Sequence, residues 1–437
     1  MSKVCVTGAA GFIGGHLAEE LLERGHEVAG LDDFSSGKRQ TIALLSQNPR
    51  FRMVEGSIAD PAAVAKAVEG AKYVFHLAAI PSVPVSMQEP ERTTAVNVGG
   101  TVKVLEAARR TGTERVVLAC SCAAYGDGPE QPKHEGLQVR PVSPYAAQKI
   151  ACELYAQTYT AAYGLPCVAL RFFNVYGPRQ DPKSEYSAAI PRFVTKLLSG
   201  EPPIVFGDGL QTRDFVHVKD VVRACLIAST SRRASGSVVN IASGHCASLL
   251  ELIALIREAV GPEAAHLGIE HRPARAGDVR SSSADLTRAR ELLGFEPSIS
   301  LGQGLLDVVR SFRAAAAKAA LFPSCPKPIH RSSSSRSRRT TPAGRSRGTS
   351  RRSCGGRSIP RSSRRSCAAR RSCIANPSSC PIRRCGPGCA SPCASGRPAI
   401  RASRRRFPSS TRTRRCSSST SQRPSRSTRA RATSSRR

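Results

Sequence analysis

Tyr145 and Lys149 stand four residues apart in Tyr145-Ala146-Ala147-Gln148-Lys149, which puts them on one face of a helix if the segment is helical. An ammonium beside a phenol stabilises the phenolate, and such a phenolate is a usable base near neutral pH. Taken alone, the spacing is better read as an exposed helix face. Ser121 adds a hydroxyl just beyond the apolar run Arg115-Val116-Val117-Leu118-Ala119, where it can hydrogen-bond the oxygen that Tyr145 deprotonates. A third piece is Gly8-Ala9-Ala10-Gly11-Phe12-Ile13-Gly14, which follows the strand-like Lys3-Val4-Cys5-Val6-Thr7. Gly8 and Gly11 let the backbone turn sharply and approach a pyrophosphate, and Gly14 lets a helix pack tightly on the strand. Asp32 and Asp33 close a second strand-like run, where an acid accepts both ribose hydroxyls and repels a 2′-phosphate, favouring NAD over NADP. The three pieces together describe dinucleotide-dependent chemistry at a hydroxyl group.

These residues need a scaffold, and the hydrophobic pattern supplies one. Leu17, Leu21 and Leu22 continue the glycine turn with helical spacing. Strands are expected at Glu27–Leu31, Phe51–Val54, Tyr73–Ala79, Arg115–Ala119 and Val168–Phe172. Helices are expected at Pro61–Val68, Arg92–Thr111 and Pro144–Tyr163. Strands alternating with helices at this spacing predict a parallel sheet covered on both faces. His76, inside the fourth strand, is expected to be a hydrogen-bonded structural residue. Beyond Asn174 the alternation loosens, and helical patterns return at Ala188–Leu198, Val218–Ala228, Leu249–Val260, Leu286–Leu293 and Leu301–Ala316. The fold class is therefore α/β, a doubly wound Rossmann sheet with a smaller mixed C-terminal lobe. The expected boundaries are 1–173 with 214–242 returning to it, then 174–213 and 243–316 for the lobe.

Charge divides the chain of 437 residues in two. Residues 321–437 hold 31 of the 66 basic residues and none of the 32 acidic ones, leaving 1–320 a net charge of +3. That stretch is nearly all Ser, Arg, Pro, Cys, Gly, Ala and Thr without periodicity, so it is expected to be disordered. Its basic residues are 30 Arg to one Lys, a skew that resembles out-of-frame translation of a GC-rich gene. The alternative is an arginine-rich tail that holds nucleic acid through phosphates, although Phe322 and Phe407 are its only stacking side chains. Nine of the 16 cysteines lie there, and the seven in the body sit mostly in apolar stretches, as reduced cytoplasmic thiols do. No cysteine or histidine cluster has metal-ligand spacing, so no metal is expected. Nor does any apolar run approach membrane-spanning length.

The body resembles an extended short-chain dehydrogenase/reductase of the NAD-dependent epimerase/dehydratase family, nearest its UDP-hexose 4-epimerase members. Carrying the resemblance are Thr7-Gly8-Ala9-Ala10-Gly11-Phe12-Ile13-Gly14, Asp32-Asp33, His76-Leu77-Ala78-Ala79, Asn97-Val98-Gly99-Gly100-Thr101 and Ser143-Pro144-Tyr145-Ala146-Ala147-Gln148-Lys149. Arg171-Phe172-Phe173-Asn174-Val175-Tyr176-Gly177-Pro178-Arg179-Gln180, Gln211-Thr212-Arg213-Asp214-Phe215-Val216-His217-Val218, Arg275-Ala276-Gly277-Asp278-Val279-Arg280 and Leu293-Gly294-Phe295 complete it over roughly residues 1 to 315. The resemblance implies NAD as cofactor, with Phe12 and Ile13 on its pyrophosphate, Asp32 and Asp33 on the adenosine ribose, and Ile58 beside the adenine. It places Leu77, Ala78, Ala79, Asn97 and Phe173 along the cofactor channel and Lys149 on the nicotinamide ribose. Asn174, Arg213, Arg275 and Asp278 match positions that hold a nucleotide-sugar, and an arginine pair suits its diphosphate.

The chain departs from the family at a few positions. Cys120-Ser121-Cys122 replaces a run of serines, Ser57 replaces an acid that contacts adenine, and Asn97-Val98-Gly99-Gly100 has glycine where a polar residue is common. The implied reaction is reversible oxidation at C4 of a UDP-sugar, in which Tyr145 takes the hydroxyl proton and a 4-keto sugar forms and turns over. A 4,6-dehydratase or a UDP-glucuronate-processing relative is the alternative. Such relatives usually carry acids just after the catalytic hydroxyl, where this chain has Cys122 and Ala123. Ser282, seven residues after Arg275, matches a gate whose small size leaves room for an N-acetyl group, so UDP-GlcNAc and UDP-GalNAc are expected substrates. A homodimer pairing through helices near 92–111 and 144–163 is expected from the resemblance, with no membrane partner.

Overall fold

The computed structural model describes residues 1–182, 189–274 and 279–321, with side chains to 317. In chain order it begins β1 (Lys3–Thr7), α1 (Phe12–Glu23), β2 (Glu27–Asp32), α2 (Arg39–Leu45), β3 (Phe51–Glu55), α3 (Pro61–Val68) and β4 (Tyr73–His76). There follow α4 (Val83–Gln88), α5 (Pro90–Thr94), a π turn (Ala95–Gly99), α6 (Gly100–Arg110), β5 (Arg115–Ser121), a 3-10 turn (Cys122–Tyr125), α7 (Pro144–Tyr163) and β6 (Cys167–Phe172). The second half runs β7 (Asn174–Tyr176), α8 (Ala189–Leu198), β8 (Ile204–Phe206), β9 (Thr212–His217), α9 (Val218–Thr230) and β10 (Ser237–Ile241). It ends with β11 (Cys246–Ser248), α10 (Leu249–Val260), β12 (Glu270–Arg272), β13 (Ser281–Ser282), α11 (Thr287–Leu293) and α12 (Leu301–Leu321).

Seven strands make one sheet in the order β10-β6-β5-β4-β1-β2-β3, and every pairing in it is parallel. The order reverses between β1 and β4, which places a ligand crevice at their carboxyl ends. Successive residues of each strand feed opposite cores, as the strand period requires. Val4, Val6, Val117, Val168 and Leu170 pack with α1 and α9, while Cys5, Val116, Leu118, Cys167 and Ala169 pack with α3, α6 and α7. A third core joins α8, α10 and α12 to Tyr176 and Phe215 of a small sheet built from β7, β9, β11 and β13.

Three sequence expectations change here. The fourth strand stops at His76 rather than Ala79, because Leu77 and Ala78 donate their N–H groups to the Thr7 hydroxyl at 3.2 and 3.1 Å. The helix expected over Arg92–Thr111 is α5, a π turn and α6 in succession, with Asn97 turned inward. Within the stretch 243–316, α11 contributes Ala289 and Leu293 to the core beneath α1 and α9, not to the core of α8, α10 and α12. The expectations for the tail from 322 onward lie outside the described residues. No helix among the described residues is long and apolar enough to cross a membrane.

Candidate active site

The glycine turn explains its own composition. Gly8 sits at φ +74° with no room for a side chain, since a Cβ would stand 2.9 Å from the Ala78 backbone nitrogen. A Cβ on Gly14 would lie 2.0 Å from the Gly8 carbonyl oxygen, so α1 can enter against β1 only with glycine there. Gly11 starts α1 with no side-chain cap, which leaves the first N–H groups and the positive helix end free to meet an anion.

A cleft of about 530 Å³ opens over this turn. Gly8, Gly11, Phe12, Ile13 and Gly14 floor it, and Asp32, Asp33 and Ile58 line one end. Leu77, Ala78, Ala79, Ser121, Tyr145, Lys149 and Phe173 complete its walls. Asp32 accepts the Ala10 N–H at 3.0 Å and the Phe34 N–H at 2.8 Å, which ties the ribose loop to the glycine turn. Burial raises the Asp32 carboxyl, and those two backbone donors oppose it. Asp33 is exposed on the whole and held below the usual carboxylate range: partial burial is the largest single influence and raises the group, but the hydrogen bonds from Ser35 and Ser57 together outweigh it. Ser57 itself does not line the cleft; its hydroxyl accepts the Ala59 N–H at 3.3 Å and reaches Asp33.

The three chemical side chains converge from β5 and α7. Ser143 caps α7 by accepting the Ala146 N–H at 3.2 Å, and Ser86 of α4 accepts the Tyr145 N–H at 3.0 Å. Lys149 donates to the Ala119 carbonyl of β5 at 2.8 Å, and its Nζ lies 5.9 Å from the Tyr145 ring centroid. The Lys149 ammonium is buried, which would lower its pKa, but electrostatic attraction to the titratable groups around it, Tyr145 first, holds it above the ordinary lysine value. Ser121 ends β5 with its hydroxyl accepting from the Ala123 N–H at 3.2 Å. The arrangement can hold a proton acceptor, its supporting cation and a hydroxyl around one substrate oxygen.

Other expected residues stand elsewhere. Asn97 is only 2% exposed and off the cleft wall. Its amide oxygen accepts from Ile80 N–H at 2.7 Å, and its nitrogen donates to Ile80 O and to Gln148 of α7 at 3.2 and 2.8 Å. It braces the loop that lines the cleft, because the π turn points its side chain at that loop. Asn174, Arg213 and Ser282 lie on the small sheet, where Ser282 pairs with Arg213 and Asn174 with Phe215. Arg275 and Asp278 lie outside the described residues. His76 bonds Thr7 and Thr101 at 2.8 and 2.9 Å, a buried structural role as expected. Lys38, Arg92 and Arg179 also line the cleft. The sequence does not mark them as site residues, because a single cation, whether in a loop like Lys38 and Arg179 or on the short α5 like Arg92, has no partner at a fixed spacing.

A glycine-cradled crevice at the switch of a parallel sheet, with serine, tyrosine and lysine on its wall, defines a dinucleotide-dependent site of the short-chain dehydrogenase/reductase type. The profile of the NAD dependent epimerase/dehydratase family matches residues 4–242. A UDP-glucose 4-epimerase of Mycolicibacterium smegmatis is 41% identical over 314 residues, covering 71% of this chain and 98% of the relative. The solved UDP-N-acetylglucosamine 4-epimerase of Methanobrevibacter ruminantium, in complex with UDP-N-acetylmuramic acid, superposes with a TM-score of 0.68 at 35% identity, covering 72% of this chain and 99% of that one. The UDP-glucose 4-epimerase of Thermotoga maritima, solved with UDP-glucose, gives 0.67 at 36% identity with the same coverage. The chain belongs to the NAD dependent epimerase/dehydratase family.

Proposed function

We propose that this protein is an NAD-dependent UDP-hexose 4-epimerase that accepts UDP-GlcNAc and UDP-GalNAc, and UDP-Glc and UDP-Gal beside them. The observation that carries this is the convergence of Ser121, Tyr145 and Lys149 on one wall of the glycine-floored cleft. NAD suits that cleft: the Gly8, Gly11 and Gly14 backbone leaves space where any Cβ would intrude, the uncapped start of α1 favours a phosphate, and Asp33 offers a carboxylate to a ribose. When bound, NAD supplies a hydride acceptor that gives the hydride back within one turnover. Tyr145 removes the proton from the C4 hydroxyl and later returns one, so a 4-keto sugar is the intermediate. Ser121 hydrogen-bonds the same oxygen and keeps it in line with Tyr145. Lys149, fixed by the Ala119 carbonyl, stabilises the negative phenolate as an ammonium and does not itself transfer a proton in the step. Asn174, Arg213, Arg275 and Asp278 hold the nucleotide-sugar, and Ser282 leaves space at C2.

Dehydratases of this family usually carry an acid just after the catalytic hydroxyl. Burial pushes the Cys122 thiol up to about 11, and Ala123 has no titratable group, which supports epimerisation over elimination. We also assign a cytoplasmic homodimer, supported by the free thiols of the described body and the exposed Leu154, Tyr155 and Tyr163 on α7.

Incubation of the purified protein with each UDP-sugar, read by NMR, tests the proposal. Interconversion of the 4-epimers is the expected result, and a stable 4-keto-6-deoxy product would assign the dehydratase instead. Tyr145→Phe is expected to lose about 10³-fold or more in kcat. Wild-type turnover in that variant removes Tyr145 from the mechanism.

A further inference from the structure

Arg171 is a buried cation in the middle of a parallel sheet, 4% exposed, and the chemistry above gives it no part. Its Nε and Nη2 donate to the two carboxylate oxygens of Glu153 at 2.8 and 2.7 Å. Glu153 is also buried, and it stands on α7 one turn beyond Lys149 and two beyond Tyr145, on the same side of the helix. The guanidinium lies 4.7 Å from the centroid of the Tyr125 ring. Tyr125 closes the 3-10 turn that Ser121 caps, and its hydroxyl donates to Asn240 Oδ1 at 2.7 Å. Arg171 pairs in register with Asn240 on one side and with Cys120, the residue before Ser121, on the other. One side chain therefore touches the helix that carries Tyr145 and Lys149 and the turn that follows Ser121.

Stability alone does not account for such a pair. Removing two charges from water costs about as much as their mutual attraction returns, and apolar groups of the same volume often serve as well. Geometry does account for it, because a two-bond fork fixes direction as well as distance.

We propose that Arg171 and Glu153 are positioning residues, whose ion pair sets the α7 face bearing Tyr145 and Lys149 against Ser121 and balances the charge behind Lys149. The proposal rests on the assignment of Ser121, Tyr145 and Lys149 as the catalytic set. The titratable groups facing Lys149 are Tyr145, Cys152 and Glu153 from its own helix, Cys120 from β5 and His76 from β4. Burial keeps the Cys120 thiol protonated and His76 uncharged. Glu153 is the one carboxylate of this group, and Arg171 is the cation paired with it at 2.7 Å.

The test uses the full chain with its bound NAD and compares Arg171→Met, Arg171→Lys, Glu153→Gln and the Arg171→Met/Glu153→Gln pair with the wild type. Initial rates on the UDP-sugar are taken across pH, beside bound-NAD content and thermal unfolding. Arg171→Met is expected to lower kcat about 10- to 100-fold, since a small misplacement of catalytic groups costs that much. KM should stay within about threefold. The limb on which kcat rises with pH should move up by about half a unit or more, because an uncompensated carboxylate opposes the phenolate. Glu153→Gln should move the same limb down. In the double variant the limb returns to its wild-type place while kcat stays low, and Arg171→Lys keeps the limb but lowers kcat. A purely structural pair gives no opposed shifts. If the NAD-loaded Arg171→Met protein shows wild-type kcat and limb, the proposal is wrong; should that variant not fold, wild-type kcat in Arg171→Lys overturns it equally. Tyr145→Phe, run alongside, separates the two failures: wild-type turnover there refutes the catalytic set itself, whatever Arg171 does.

Discussion

Gly14 lies so close beneath Gly8 that a single added methyl would meet the Gly8 carbonyl oxygen at 2.0 Å. The two glycines form one device: the first turns the chain at the end of β1, and the second lets α1 start directly under that turn. Gly14→Ala must push helix and turn apart. The expected outcome is a loss of about 1–3 kcal/mol in unfolding free energy together with loss of bound NAD. Denaturant melts and the absorbance of cofactor released on denaturation check it. An alanine variant that keeps both would show that the turn tolerates a shifted helix.

Ser282 pairs in register with Arg213 on the small sheet, so its side-chain size bears on the site assigned to the sugar nucleotide. Ser282→Tyr is expected to reduce kcat/KM on UDP-GlcNAc by about 10²-fold or more, with UDP-glucose turnover much less affected. Parallel assays on the two sugars decide it. Equal retention of both activities removes Ser282 from the C2 pocket.

Acid should weaken the fold through His76. Burial, with Lys149 nearby, holds its pKa down to about 3 from an ordinary 6.5. Between those values the unfolded chain binds a proton that the native chain does not. Stability is therefore full above pH 6.5 and falls as pH drops toward 3. Burial holds His16 down to about 4, and it acts in the same direction. Melting temperatures at pH 7 and pH 5 should show the fall, and His76→Gln should make it shallower. An unchanged slope in that variant would acquit His76.

The homodimer assignment makes α7 a contact surface. Leu154 is 58% exposed and Tyr163 57%, so covering them with a second copy would take apolar surface out of water. Leu154→Asp should shift the protein from dimer to monomer in light scattering at micromolar concentration. A wild-type chain that is already monomeric there refutes the assignment.

Elements marked by local chemistry were legible before the structure. The helix Pro144–Tyr163 is bounded by the Ser143 cap and by Gly164 at φ +69°, and Leu249–Val260 by the Ser248/Glu251 capping box. Both were read at those limits, because each end is written in a residue type. The glycine turn was legible for the same reason, and the spacing of Tyr145 and Lys149 was enough to put both on one face of the helix. What escaped depends on distant partners. Nothing near Asn97 in the sequence marks a π turn, and the partners that hold its amide inward, Ile80 and Gln148, are distant in the chain. The helix α4, whose Ser86 holds the Tyr145 N–H, has no place among the sequence expectations, because its 6 residues are too few to show a helical period. Leu293 has the spacing of any amphipathic helix, and only the sheet it reaches tells which core it joins.

The π turn at Ala95–Gly99 carries one residue more than an α-helical turn would. Losing one codon inside an ordinary helix rotates everything beyond it by about 100° and turns its buried face to water. Here the same loss restores regular helix, so Val104, Leu105 and Ala108 stay against the sheet. A deletion of Asn97 should therefore leave a chain that melts near the wild-type temperature and no longer retains NAD, because the loop from Leu77 to Pro81 has lost its hook. The helix that supports the cofactor is one deletion away from being merely a helix.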